Sequence, residues 1–237
     1  MRSRLLAVTF EAANPAEPAG FWAGLLGREV VEDDGGVLLP GGDTQLGLRF
    51  VRGRAGRLGA NRMHLHLTST DQQHTVATAV RLGARHVDVG QRPEESHVVL
   101  ADPADHEFCV IEPGNDYLAG CGPLGELTCA GTRQAGLFWS KALGWPLVWD
   151  QGEQTAIQSP HGGTKIAWDT WESTPAAPNR QHFELLPTDG NQQAAIDELV
   201  SLGATRLDAR TGVLADPDGN EFRVRPTARH PAGPECR

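Results

Sequence analysis

Short apolar runs alternate with polar positions along the chain, and glycine or proline cuts nearly every run. Leu5–Glu11 predicts a strand. Pro15–Leu26 places Phe21, Trp22, Leu25 and Leu26 at helical spacing and stops at Gly27, a residue suited to ending a helix. Three more strands are predicted at Val30–Glu32, Val37–Leu39 and Thr44–Val51, broken by Gly35-Gly36 and Gly41-Gly42. A second unit follows in the same order. It has strand Met63–Thr68, helix Asp71–Leu82 stopped by Gly83, and strands near Arg85–Val89, His97–Leu100 and Glu107–Ile111. Both units read strand-helix-strand-strand-strand, or βαβββ.

The whole pattern then recurs. Phe21-Trp22-Ala23-Gly24-Leu25-Leu26-Gly27 returns as Phe138-Trp139-Ser140-Lys141-Ala142-Leu143-Gly144, and Asn61-Arg62-Met63-His64 as Asn179-Arg180-Gln181-His182. Leu82-Gly83-Ala84 returns as Leu202-Gly203-Ala204, and the Asp102-Pro103 to Glu107-Phe108 run as Asp216-Pro217 to Glu221-Phe222. Four matches in one order, 114 to 120 residues apart, imply a duplication. Gln181–Leu186 and Gly190–Leu202 are the matching strand and helix of the second copy. The chain divides into a first half at 1–113, a glycine-rich linker at 114–125, a second half at 126–226, and a polar tail at 227–237 expected to be mobile.

Four such units carry F-W-x-x-x-L-G on a first helix, N-R-x-H opening a strand, L-G-A ending a helix and D-P-x-x-x-E-F entering a last strand. In this the chain resembles the vicinal oxygen chelate superfamily of glyoxalase I, bleomycin-resistance proteins and extradiol dioxygenases, and most of all its bacterial glyoxalase-like branch. The resemblance spans about residues 5–226. It implies an α+β fold of four βαβββ units forming two half-open barrel domains in tandem. Each half would wrap its own eight-stranded cup.

In metal-using members of that superfamily, one ligand comes from the first strand and one from the last strand of each unit. Carried over residue by residue, those positions in the first half are Ala7, Gly47, His64 and Cys109. His66 follows His64 by two and Glu107 precedes Cys109 by two, so each shares a face with its neighbour. His64, His66 and Glu107, with Cys109, therefore compose a shifted site for Fe, Mn, Ni or Zn. The alternative is that the histidines are hydrogen-bonding pocket residues and Glu107 anchors a turn or pairs with Arg62, with no cofactor expected. Cys109 beside His64 is either a nucleophile with its base or a small buried thiol. In the second half the matching positions are His182, with Glu184 two on, and Arg223, a cation that opposes a metal. His182, Glu184, Arg223 and Asp169 read as an ion-pair network that holds a polar ligand or fills an inert pocket. Gln45 and Arg49 are expected to face the first cup. Trp22 and Trp139 are expected in the core. Trp145, Trp149, Trp168 and Trp171 lack repeat partners and mark a pocket wall or subunit contact, Trp168 among the ligand contacts.

Composition narrows the partners. A net charge of −9 over 237 residues repels phosphate, so nucleic acid is not expected. No apolar run approaches the roughly 18–20 residues that cross a bilayer. The N-terminal apolar stretch stops at Glu11, short for a signal peptide, and Cys109, Cys121, Cys129 and Cys236 have no C-x-x-C spacing. The expectation is a cytoplasmic monomer or homodimer whose partner is a small molecule. Three activities fit. One is binding of a small organic molecule without the full metal set. Another is metal-free catalysis with His64 or His182 as base and Arg49 or Arg223 stabilising an enolate or carboxylate. The last is a metal-dependent lyase, isomerase or dioxygenase acting through His64.

Overall fold

The computed structural model describes residues 2–53, 61–92, 94–170, 179–208 and 210–226; Trp171 and the tail at 227–237 lie outside them. The first unit is β1 (Ser3–Ala12), α1 (Ala16–Leu26), β2 (Val31–Asp33), β3 (Gly36–Leu39) and β4 (Leu48–Arg52). The second is β5 (Met63–Leu67), α2 (Gln72–Arg81), β6 (Arg85–His86), β7 (Val98–Ala101) and β8 (Glu107–Val110). The third is β9 (Leu124–Ala130), α3 (Arg133–Leu143), β10 (Leu147–Gln151), β11 (Gln154–Gln158) and β12 (Lys165–Asp169). The fourth is β13 (Gln181–Pro187), α4 (Gln192–Ser201), β14 (Thr205–Arg206), β15 (Val213–Ala215) and β16 (Glu221–Val224).

Local chemistry explains the boundaries. α1 and α3 end at Gly27 and Gly144, both left-handed at φ 64°, a conformation that strains a side chain. Asp71, Thr132 and Asn191 cap the starts of α2, α3 and α4 by accepting backbone N–H bonds. The strand expected from Thr44 begins only at Leu48, because the Gly42 N–H turns back onto the Gln45 carbonyl (3.0 Å). Among the described residues, no helix is long and apolar enough to cross a membrane.

The sheets correct the expected pairing of units. Their orders are β14-β15-β16-β13-β1-β4-β3-β2 and β10-β11-β12-β9-β5-β8-β7-β6. The first unit thus shares a sheet with the fourth, and the second with the third. Neither sequence half wraps a cup by itself. The physical reason lies in the opening strand of each unit, which leaves an edge to be paired. The chain passes from β8 to β9 through a short linker, which lays β9 antiparallel beside β5. The edges of β1 and β13 remain, and they pair antiparallel from Ser3 opposite Pro187 to Phe10 opposite Gln181.

The sequence halves reappear in the core. Trp22 of α1 packs edge-on against Phe108 of β8, centroids 4.9 Å apart, and its indole N–H donates to Asp102 at 2.9 Å. Trp139 of α3 repeats this with Phe222 of β16 (4.9 Å) and Asp216 (3.1 Å). Each half is therefore joined through its own tryptophan, while each sheet is shared between halves. One large cluster, including Phe10, Phe50, Trp22, Phe108, Trp139 and Phe222, spans both sheets.

The two aspartates differ in one partner. Burial pushes Asp102 up, but the hydrogen bond and charge of His106 outweigh it and hold the carboxyl below its ordinary value. Asn220 stands in the place of His106 in the second copy, and there burial wins and pushes Asp216 up. The stability carried by Asp102 is therefore present above its unfolded pKa, near 3.9, and lost as pH falls through the lower folded value. His106→Asn will cost about 1–3 kcal/mol at neutral pH and flatten this acid loss. Urea midpoints at neutral and acidic pH check it, and an unchanged pH dependence contradicts it.

Candidate functional site

Each sheet has one face on the core and an opposite, polar face that forms its cup. On the second–third sheet, Met63, Leu65 and Leu67 of β5 enter the core, so His64 and His66 point to the cup. His66 is in register with Cys109 on β8 and Glu126 on β9, and Glu126 with Lys165 on β12. His66, Cys109, Glu126 and Lys165 thus make one row across four neighbouring strands. The first-strand residue level with Cys109 is therefore His66; His64, expected there from the sequence match, sits one step along, opposite Thr128.

The row is tightly bonded. His66 Nδ1 lies 2.8 Å from Glu126 Oε2. Glu126 also accepts from the Tyr117 hydroxyl (2.7 Å) and from Thr128 Oγ1 (3.1 Å). Lys165 stands over the Tyr117 ring at 3.8 Å and donates to the Tyr117 carbonyl. His64, His66 and Cys109 bring one donor atom each within 4.8 Å of one another, and the two imidazoles are 4.8 Å apart.

Protonation separates the histidines. Burial pushes His64 down to about 3, helped by the neighbouring His66 charge, so at neutral pH it is a neutral imidazole. Burial also acts to lower His66, but the Cys109 sulfur and the Glu126 carboxylate outweigh it and raise His66 to about 10. Burial raises Glu126, yet His66 and Tyr117 hold it below the usual carboxylate range. Burial and Glu126 push the Tyr117 hydroxyl up, so it stays a donor.

Glu107 does not join this group. Its Oε2 accepts from Asn61 Nδ2 at 3.3 Å, at the mouth of β8, so of the expected shifted set His64, His66 and Cys109 converge and Glu107 stands apart.

On the first–fourth sheet the corresponding row is Ala7, Gly47, Glu184 and Arg223. A Cβ at Gly47 would meet the Leu6 carbonyl at 2.5 Å, so no ligating side chain fits there. Arg49 donates to Glu184 (3.1 Å), to Asp33 (2.6 Å) and to the Asp34 carbonyl (2.6 Å). Arg225 also pairs with Asp33, and lies 3.5 Å from Glu184 Oε2. Burial pushes Asp33 up, but these two guanidinium groups outweigh it and bring it to about 2. His182 Nε2 stands 3.6 Å from Glu184 Oε1. The donor set does not suit a metal.

Three expected site residues lie elsewhere. Gln45 ties loops together: its amide donates to the Cys121 carbonyl (2.7 Å) and Thr164 (3.1 Å) and accepts from the Leu124 N–H (3.0 Å). Trp168 alternates with Lys165, Ala167 and Asp169 on β12 and is buried in the core, not a pocket wall. Asp169 belongs to the other sheet from His182, Glu184 and Arg223; its carboxylate accepts from Gln154 (2.8 Å). Of the remaining tryptophans, Trp145 packs on the core and Trp149 lies edge-on to Tyr117 at 6.0 Å. Glu126, Tyr117, Asp33 and Arg225 were not anticipated. For Glu126 a signal existed, since alternation with Leu127 and Cys129 puts it on the cup face.

Comparison with known proteins fits this geometry. The family model for the glyoxalase-like domain matches residues 7–111 and again 126–225. The chain belongs to the glyoxalase-like family. Its fold is that of glyoxalase I from Zea mays, at TM-score 0.67 and 15% identity, over 94% of this chain and 92% of that one. A proposed dioxygenase from Bacillus subtilis is similar at TM-score 0.59 and 15% identity, over 93% of this chain and 84% of that one. No curated protein sequence matches. At such identities the likeness establishes the tandem glyoxalase-like fold, and the chemistry must come from the side chains.

Proposed function

We propose that this glyoxalase-like protein binds a small organic molecule in the cup of the second–third sheet. The observation that carries the reading is the row His66, Cys109, Glu126 and Lys165 with His64 beside it. These polar groups face away from the core, and the fold does not need them to pack its two layers. His64 is a neutral imidazole on the cup face, and the His66 imidazolium beside it adds positive charge. Lys165 fills the fourth position of the row with a cation, and Glu126 is already held by three donors. Both features support binding without the usual metal set. Four units in one chain complete both sheets without a second copy, which supports a monomer. The thiols of Cys109, Cys121 and Cys129 are free, which suits a reducing compartment such as the cytoplasm.

A second reading rests on the donor atoms of His64, His66 and Cys109, which converge within 4.8 Å. Two imidazoles and a thiol fit a thiophilic divalent ion, with Glu126 orienting His66 from behind. Such an ion would polarise a ligand oxygen, making the protein an enzyme. The same preparation tests both readings. Under the first, screening with aromatic and α-keto compounds raises the melting temperature of wild type but not of His64→Ala, and no metal is retained after reconstitution with zinc or nickel. Near-stoichiometric metal that disappears in both His64→Ala and Cys109→Ser replaces the first reading by the second. No ligand shift and no metal overturns both.

A further inference from the structure

The first–fourth cup, which the proposal above does not use, contains a cavity of about 460 Å³. Its walls include Leu6, Leu38 and Leu186, and its polar groups include Glu184, Arg223 and Arg225. Two of the arginines in this cup are spoken for: Arg49 and Arg225 pair with Asp33 and Glu184. Arg223 differs. Among the described residues its side chain makes no hydrogen bond or ion pair, and its register partner on β13 is Glu184, so both side chains leave the same face of the sheet on adjacent strands. Glu184 has a side chain only 1% exposed, yet its Oε2 accepts no hydrogen bond; the nearest cation, Arg225, stands 3.5 Å away. A buried carboxylate oxygen without a donor is costly, and Glu184 is one of the residues lining the cavity.

We propose that this cup is a second, metal-free binding site for a small 2-hydroxycarboxylate. Arg223 takes the carboxylate, the neighbouring Glu184 accepts the hydroxyl, and the three leucines cover an aliphatic body. A hydroxyl suits Glu184 better than an ammonium, because Arg49 and Arg225 stand on the same carboxylate and repel a third cation. A carboxylate suits Arg223 better than a phosphate dianion, because Glu184 and the exposed Asp34 lie on the same cavity.

The test is calorimetric titration of the full chain with 2-hydroxyisocaproate and with its deoxy analogue, 4-methylpentanoate. The hydroxy acid will bind saturably, and the analogue at least about tenfold more weakly, the difference expected of one hydrogen bond to a charged group. Arg223→Gln will weaken the hydroxy acid by at least about tenfold, and Arg223→Lys will restore part of the loss, since an ammonium keeps the charge without the two-pronged geometry. His64→Ala will leave this binding unchanged. Absence of saturable binding, equal affinity of the two acids, or equal binding by Arg223→Gln overturns the proposal. Loss in His64→Ala with retention in Arg223→Gln also overturns it, and places the ligand in the other cup, where the reading of the previous section would stand.

Discussion

Expressed apart, the halves 1–113 and 114–237, the second carrying the whole of β9, will not fold as monomers, and mixing them will restore the native state. The reason is the exchange of units between sheets. The first half keeps its own tryptophan contact, Trp22 on Phe108, so it retains a driving force to collapse. It loses the partners of β1 and β5 together, seven registered positions with β13 and five with β9. At about 1 kcal/mol per hydrogen bond, these ladders approach the entire stability of an ordinary domain, roughly 5–15 kcal/mol. The collapsed half also presents two open edges, each ready to pair with another copy. Size-exclusion chromatography will show the isolated halves as dimers or larger species with broad unfolding, and the equimolar mixture as a heterodimer with one cooperative transition. A monomeric half that unfolds cooperatively contradicts the exchange.

The repeat made the βαβββ unit readable, because its signals are local: Gly27 and Gly144 end helices, and Asp102 and Asp216 sit at matching turns. Which unit pairs with which was not readable. All four opening strands present equivalent edges, and the choice depends on how the linker steers β9 beside β5. The candidate site followed the same division. Alternation in β5 exposed His64 and His66 on one face, yet the row runs through His66, because register is set by hydrogen bonds to β8 and β9 rather than by motif matching. Tyr117 lies in the glycine-rich linker, where local pattern predicts only chain passage; a short 3₁₀ turn at Asp116–Leu118 brings its hydroxyl to Glu126. A tryptophan fits either face of a strand, and only its alternation with Lys165 and Asp169 sends Trp168 inward.

Trp22→Ala will be the most damaging single substitution in the first half, costing about 4–5 kcal/mol. Truncating a large buried aromatic typically costs about 3–5 kcal/mol through lost transfer energy and the cavity left behind. Here the side chain is 1% exposed and lies between Phe21 and Phe108, with centroids at 5.2 and 4.9 Å. Its indole N–H also donates to Asp102, a carboxylate that His106 keeps ionised in the interior. Trp22→Phe keeps the ring and removes the donor, so it isolates that second contribution, about 1–3 kcal/mol. The matching Trp139→Phe will cost less. Burial pushes Asp216 up where His106 holds Asp102 down, so the charged form that the indole donor serves is favoured less at Asp216. Urea midpoints at neutral pH for the four variants, with Trp139→Ala as the fourth, decide both points. A loss below about 2 kcal/mol for Trp22→Ala would refute its place at the junction of the first two units. Equal losses for Trp22→Phe and Trp139→Phe would show that the exchange of His106 for Asn220 does not change how strongly the aspartate holds its indole donor.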